Sequence, residues 1–238
     1  MRGKCSQFRA PPGTRLAFCK PDAFALLIMQ ILFLDRDPRT AARLYRNKRI
    51  VNKLITEVLQ LIGGAIRHHC LGNTAESVSK PHSPNHVCAV WVRSHFEHFK
   101  WAVEHVSELY SIYNQYIRKS PTGHASSLRK IQYARYIVDQ VESGALSWPS
   151  NLSAEDLRTE LLLIHERQGK KARENGPPLV AERGVDKNMP CAVVAIDAEF
   201  RARLDVRPSD DLDAVAIYRR YHEAKHAILD APWRCSFE

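Results

Sequence analysis

Lys53 and Glu57 stand four residues apart within a polar series, Arg46, Arg49, Lys53, Glu57 and Gln60, spaced three, four, four and three. On a helix that spacing lays all five along one face. A lysine beside a glutamate can be a buried pair, a general acid and base, or an amine nucleophile. Arginine and lysine together can hold phosphate oxygens. The same spacing also describes a solvated helix face with i,i+4 ion pairs. A second polar series, Trp91, His95, His98, Ala102 and His105, runs beside an apolar stripe. His95 and His98 have the i,i+3 spacing of a metal-binding pair. No carboxylate or cysteine stands at a recognisable companion spacing, so no metal is expected and pocket-lining or partly buried histidines are. His68-His69-Cys70 and His82 are read in the same way.

Residues 109–138 contain Arg118, Lys119, Arg129, Lys130 and Arg135 and no Asp or Glu. Tyr110, Tyr113, Tyr116, Tyr133 and Tyr136 interleave with them, and His124 sits in a turn. Cations bind backbone phosphates and aromatic faces accept unstacked bases, so this composition suits nucleic acid. In the alternative reading the tyrosines pack the core and the cations are solvated. The whole chain carries a net charge of +9 from 35 basic and 26 acidic residues, which also favours an anionic partner.

The elements that must position these residues are helices. Pro38 suits the first turn of a helix, and Leu44, Val51, Leu54, Ile55, Val58, Leu61 and Ile62 continue a helical period from Arg39 to about Ile66. Gly63-Gly64 loosens its end, and a Ser-, Pro- and Asn-rich connector covers residues 71–85. A second long helix is expected from about His86 to Lys119, on Phe96, Phe99, Val103, Val106, Tyr110, Tyr113 and Ile117. Ser120-Pro121-Thr122-Gly123 breaks it. A third spans about Ser126 to Glu142, and a fourth starts near Ser153, whose hydroxyl precedes Glu155 and Asp156 as an N-cap should. Residues 169–190 read as a polar surface excursion and Cys191–Ile196 as a short strand or buried coil. A last helix covers about Asp210 to Leu229. The expected fold is mostly α: a single helical domain of five or more helices with little strand.

Composition removes several classes. At 238 residues with 45% hydrophobic and 26% charged residues, the chain can build a core without disulfide staples. No stretch approaches the roughly 18 apolar residues of a membrane span. The six cysteines show no CxxC and no regular spacing, which reads as scattered thiols of an intracellular, not secreted, protein. There is no GxGxxG, Walker loop, GxSxG elbow or HExxH, and no cofactor is expected. Residues 1–28 hold five cations against Asp22 alone. The apolar run after them ends in Asp35-Arg36-Asp37-Pro38 without a small-residue cleavage site, unlike a signal peptide. Residues 1–28 are therefore read as a basic extension and 29–238 as the domain, starting at Met29.

Several segments, in order, resemble a known family. These are LFLDRDPRTAARL (32–44), NKR (47–49), Lys53, Glu57, Gln60, NHVCAVWVRS (85–94), Trp101, His124 and AIYRRYHEAKHAILDAPW (216–233). This order resembles a family frequent in phages and large DNA viruses and associated with thymine hypermodification. Its members are suspected amino acid:DNA transferases, which replace an activated 5-hydroxymethyl group on a pyrimidine with an amine. A more distant likeness is to bacterial proteins described as pyrimidine-dimer DNA glycosylases. The family has His-Pro where this chain has His86-Val87, and its basic residue before Lys53 falls at Ile50, with Arg49 one place early. The resemblance implies a DNA-modifying enzyme that takes DNA and an amine or amino acid as substrates. It places Lys53, Glu57, His86, Asp35 and Asp37 at the catalytic pocket. Arg49, Arg93 and Lys225 would stabilise an anionic leaving group, His86 or His124 would transfer a proton, Gln60 would line the pocket, and Trp91 and Tyr218 would stack on the extruded base. Two other readings remain open at this point: a repair-type pyrimidine glycosylase with a lysine nucleophile, and a non-catalytic helical nucleic-acid-binding protein.

Overall fold

Asp37 starts α1 (Pro38–Arg43) by accepting the Thr40 N–H at 2.7 Å, and Pro38 occupies its first turn. The computed structural model describes residues 33–45, 47–72, 78–81, 83–118, 124–168, 176–182, 189–196, 201–202, 204–206 and 212–229, with the backbone alone for 225–229. The extension 1–28 therefore lies outside the described residues. The helical period across 39–66 is not one helix. The chain leaves helix at Leu44 and restarts as α2 (Lys48–His68), because the Asn47 carboxamide accepts the N–H groups of Arg49 and Ile50 and so satisfies two donors of a new first turn. Tyr45, between the two helices, is wholly buried. Arg46 lies outside the described residues, so the polar stripe of α2 begins at Arg49.

The second long helix is also divided. Val87–Ser94 forms α3 and Phe96–Ile112 forms α4, separated by His95 in extended conformation (φ −149°, ψ 144°). The break is held from both sides. His95 Nδ1 accepts the Glu97 N–H at 3.1 Å, and the Ser94 carbonyl accepts from the Leu152 N–H and the Ser150 hydroxyl. After α4 the chain widens into a π-helical turn, Tyr113–Ile117, closed by Arg118 N–H donating to Tyr113 O at 2.8 Å. That change of pitch separates two tyrosines three apart: Tyr113 is buried and Tyr116 exposed. Helices α5 (Ala125–Glu142) and α6 (Ala154–Arg167) follow the sequence reading, and Ser153 with Asp156 forms a reciprocal capping box on α6.

The stretch read as a surface excursion contains a strand. β1 (Leu179–Ala181) pairs antiparallel with β2 (Ala192–Val194), Val180 opposite Val193, and all six residues are buried. Three apolar residues inside a polar segment leave too short a period to stand out. The final helix α7 (Ala214–Leu229) packs on β2. Helix α4 is central, touching α1, α2, α3 and α5, while α6 lies against α3 and β1. The chain is thus mostly helical, with a two-stranded sheet. One contiguous apolar cluster joins all these elements. Its hub is Phe33, whose ring lies 4.8 Å from Trp91, 4.7 Å from Trp101 and 5.8 Å from Tyr218 by centroids. No described helix is long and apolar enough to cross a membrane.

Candidate functional site

The polar stripe of α2 continues beyond Gln60 at the same spacing, through Gly64 to Arg67. Its lower half forms one wall of a cavity of about 250 Å³ between α2, α3 and the connector before α3. Gln60, Gly64, Arg67 and His68 come from α2, Ala89 and Arg93 from α3, and Ser83 and Pro84 from the connector. Leu61 and Pro81 complete the apolar walls. Close packing of the connector needs the paired glycines. A Cβ on Gly63 would meet the Ser79 carbonyl oxygen at 2.4 Å, while one on Gly64 would meet only Pro81 at 3.6 Å.

Arg93 fixes the cavity's geometry. Its side chain is 11% exposed, its Nη2 reaches Glu160 at 3.1 Å, and its Nη1 donates to the Pro84 carbonyl. One guanidinium thus ties the connector to α3 and α6 while lining the cavity. Its own carbonyl accepts from His69 Nε2 at 2.7 Å. Burial, then the positive charges of Arg93 and His69, lowers the pKa of His68. The lining therefore combines apolar walls with an amide, a hydroxyl and guanidinium groups.

Of the residues singled out in the sequence, Gln60 and Arg93 meet in this cavity. Glu57 and Lys53 lie on the same face of α2, about one and two turns before Gln60, or about 4.5 and 10 Å along the axis. They form an ion pair at 3.4 Å in which Glu57 is 14% exposed and Lys53 40%. The lysine precedes the glutamate, the less favourable order for helix stability. His86 caps α3, two residues after Pro84, and its Nδ1 accepts the Cys88 N–H at 3.2 Å, which leaves the proton of the neutral ring on Nε2. Arg49 is exposed on the first turn of α2.

His124 reaches α2 from far away in sequence. Its Nε2 lies 2.6 Å from Asn52 Oδ1, next in sequence to Lys53, and its Nδ1 lies 3.0 Å from the Ser127 hydroxyl. An amide oxygen only accepts, so Nε2 donates and Nδ1 takes the Ser127 proton. Burial lowers its pKa. It is a left-handed residue (φ 53°) edge-on to Tyr113.

The other expected residues are placed elsewhere. Asp37 caps α1. Burial opposes its ionisation, but the Thr40 N–H and hydroxyl and the charge of Arg39 hold its pKa below the usual carboxylate range. Asp35 accepts the Asp37 N–H and pairs with Arg219 at 2.7 Å. Both aspartates act in the contact between the segment before α1, α1 itself and α7. The side chain of Lys225 lies outside the described residues.

Trp91 and Tyr218 correct the reading of a stacking surface. Both are wholly buried. The Trp91 indole donates to the Cys191 carbonyl at 2.9 Å and lies against His98. The Tyr218 hydroxyl donates to Val193 O and accepts the Ala195 N–H. Rings with both faces covered and their polar atoms satisfied hold α3 and α7 to β2 and have no face for a base. In the i,i+3 histidine pair, read as partly buried or pocket-lining, His95 caps α4 and His98 is buried beneath Trp91 with its Nδ1 on the Trp91 carbonyl. Among the described residues no group of three His, Cys, Asp or Glu is placed to hold a metal ion.

No family model, curated protein or solved structure matches this chain. Its function is therefore to be sought in the geometry of the cavity between α2 and α3. Arg67, Gly64 and Ser83 were not singled out in the sequence, whereas His68 was named there among the weak histidine candidates. Extending the stripe of α2 past Gln60 finds Gly64 and Arg67. Ser83 carries no signal of its own.

Proposed function

We propose that the protein binds DNA and modifies a pyrimidine base, which leaves the stack and enters the cavity between α2 and α3. The observation that carries this reading is the meeting of Gln60 and Arg93, from two separate elements, on one small cavity. At about 250 Å³ it is below the roughly 300–1,000 Å³ of sites for drug-sized ligands, and so suits one base or a small amino acid. A pyrimidine presents apolar faces and a polar edge. Leu61, Pro81 and Ala89 match the faces, and the Gln60 amide can both donate to and accept from the edge.

The resemblance suggests an amine transfer. The amine nitrogen attacks the exocyclic carbon of an activated hydroxymethyl-pyrimidine, a C–N bond forms, and the C–O bond to the leaving group breaks. The departing oxygen takes the bonding pair, and its charge is balanced by Arg93 and Arg67. The proton lost from nitrogen goes to Glu57, the carboxylate paired with Lys53 at 3.4 Å. Nucleoside mass spectrometry of DNA carrying hydroxymethyl-pyrimidine or its phosphorylated form, incubated with the protein and amino acids, tests this. The expected product is an amine-bearing pyrimidine, absent with Glu57→Gln. Unchanged nucleosides with every amine overturn the transferase. The engagement of Lys53 with Glu57 lends less support to a glycosylase using that amine, and borohydride trapping would expose one.

The burial of Trp91 and Tyr218 favours a second reading, a non-catalytic nucleic-acid-binding protein, because it removes the expected stacking surface. DNA binding with no altered nucleoside would select it.

A further inference from the structure

Residues 107–115 and 128–135 form the two sides of a groove. One side is the end of α4 with the π-helical turn, presenting Tyr110, Ser111, Asn114 and Gln115, and the other is α5, presenting Leu128 and Arg135. The groove encloses about 500 Å³. Arg135 is fixed at its rim by donating from Nε to the Ser107 hydroxyl at 3.1 Å. Asn114, which lines the groove, has a buried Oδ1 without a partner among the described residues. On the adjoining outer face of α5, Arg129, Gln132 and Tyr136 form an exposed stripe, with Tyr136 53% exposed and the groove's own Leu128 42%.

Among the residues that line the groove Arg135 carries the charge, and the exposed Asp139 follows it one turn along α5. The nearest acids in sequence are Glu108 and Asp139, and Glu108 is engaged by Arg43 at 2.7 Å. Arg135 and an apolar leucine at the groove, with Arg129 and the open Tyr136 on the next face of the same helix, match a partner that carries phosphates and offers ring faces. A duplex hides its ring faces in the stack, whereas a single strand exposes them. Amides and hydroxyls within the groove suit base edges.

We propose that the groove between α4 and α5 is the path of a single-stranded nucleic acid. The inference stands on the groove alone and does not require chemistry in the cavity between α2 and α3.

Fluorescence anisotropy with a labelled single-stranded DNA, an RNA of the same sequence and the corresponding DNA duplex tests it. The single strands should bind at least about tenfold more tightly than the duplex at equal salt, and the DNA and RNA arms report whether the sugar matters. The Arg129→Glu/Arg135→Glu pair should weaken single-strand binding by about tenfold or more and reduce the slope of log K against log salt by about one to two. Tyr136→Ala should cost about tenfold through lost stacking. Circular dichroism melting of each variant confirms that it is folded, and Leu128→Glu, also on the surface, gives an independent block of the groove. Equal affinity for the duplex, no binding to any strand, or undiminished binding by the folded variants overturns the proposal. The readout is binding without turnover, so the loss of base modification leaves this result standing, and the reverse holds.

Discussion

The Trp91 indole lies on the His98 imidazole with ring centroids 4.4 Å apart and planes 21° from parallel. Burial lowers the pKa of His98 to about 3, and that of His105, stacked in the same way on Trp101, to about 4. An unfolded histidine takes its proton near pH 6.5. Below that pH the unfolded chain binds protons that the folded chain refuses. The stability contributed by these two neutral rings is complete above pH 6.5 and declines as the pH falls towards 4. The decline is up to about 1.4 kcal/mol per pH unit for each ring. Thermal melting at pH 7, 6 and 5 should show a falling midpoint, with a shallower fall in His98→Gln. An identical slope in that variant would remove His98 from the account.

The paired glycines of α2 should respond in opposite ways. Gly63→Ala drives a Cβ to 2.4 Å from the Ser79 carbonyl oxygen and should cost about 1–3 kcal/mol. Gly64→Ala has room, and helix propensity favours it by up to about 1 kcal/mol. It nevertheless places a methyl group beside the cavity. Urea unfolding of the two variants should move in opposite directions, and Gly64→Ala should lose base modification while keeping its fold.

Leu54→Ala tests the apolar face opposite the stripe. Leu54 is 5% exposed, and truncation of such a side chain costs about 2–5 kcal/mol. A midpoint shift of only a few tenths of a kcal/mol in chemical denaturation would place Leu54 outside the packed core.

Trp91→Phe separates structure from recognition. The variant keeps a ring beside His98 and loses the hydrogen bond to Cys191 O, at a cost of about 1–3 kcal/mol. Because the ring is covered, affinity for DNA should stay within twofold of the parent's. A tenfold loss in a folded variant would mean that Trp91 becomes exposed to the ligand.

The helices and most of their boundaries could be read from the sequence, because only a helix brings apolar residues three and four apart onto one face. The breaks at Leu44–Asn47 and at His95 could not. The apolar period runs through both, since the helices on either side face the same core, and the caps are an asparagine and a histidine that no proline or glycine announces. Gln60 was legible as a polar residue bordering an apolar stripe, while Arg93 entered only through the family resemblance. Trp91 and Tyr218 misled for a physical reason: a large aromatic with one polar atom serves equally as a base platform or as a core strut, and the partner that decides, here a carbonyl of β2 or its flank, is about 25 to 100 residues away. The groove of α4 and α5 was legible in composition. Its concavity depends on the π-helical turn, which leaves no mark in the residue types.

Arg219 donates to the Leu34 carbonyl and pairs with Asp35, which lie 185 and 184 positions earlier. Phe33, beside them, meets Tyr218 across the same junction. The first described segment to leave the ribosome thus waits for one of the last. At about 5–20 residues per second that interval is on the order of ten seconds or more, during which the Phe33 ring lacks its partner from α7. Synthesis that stops before residue 218 would release a chain with this aromatic junction open and its Trp91 wall uncovered. Such fragments should be held by chaperones or degraded, so that assembly of the aromatic junction serves as a check that translation has reached α7.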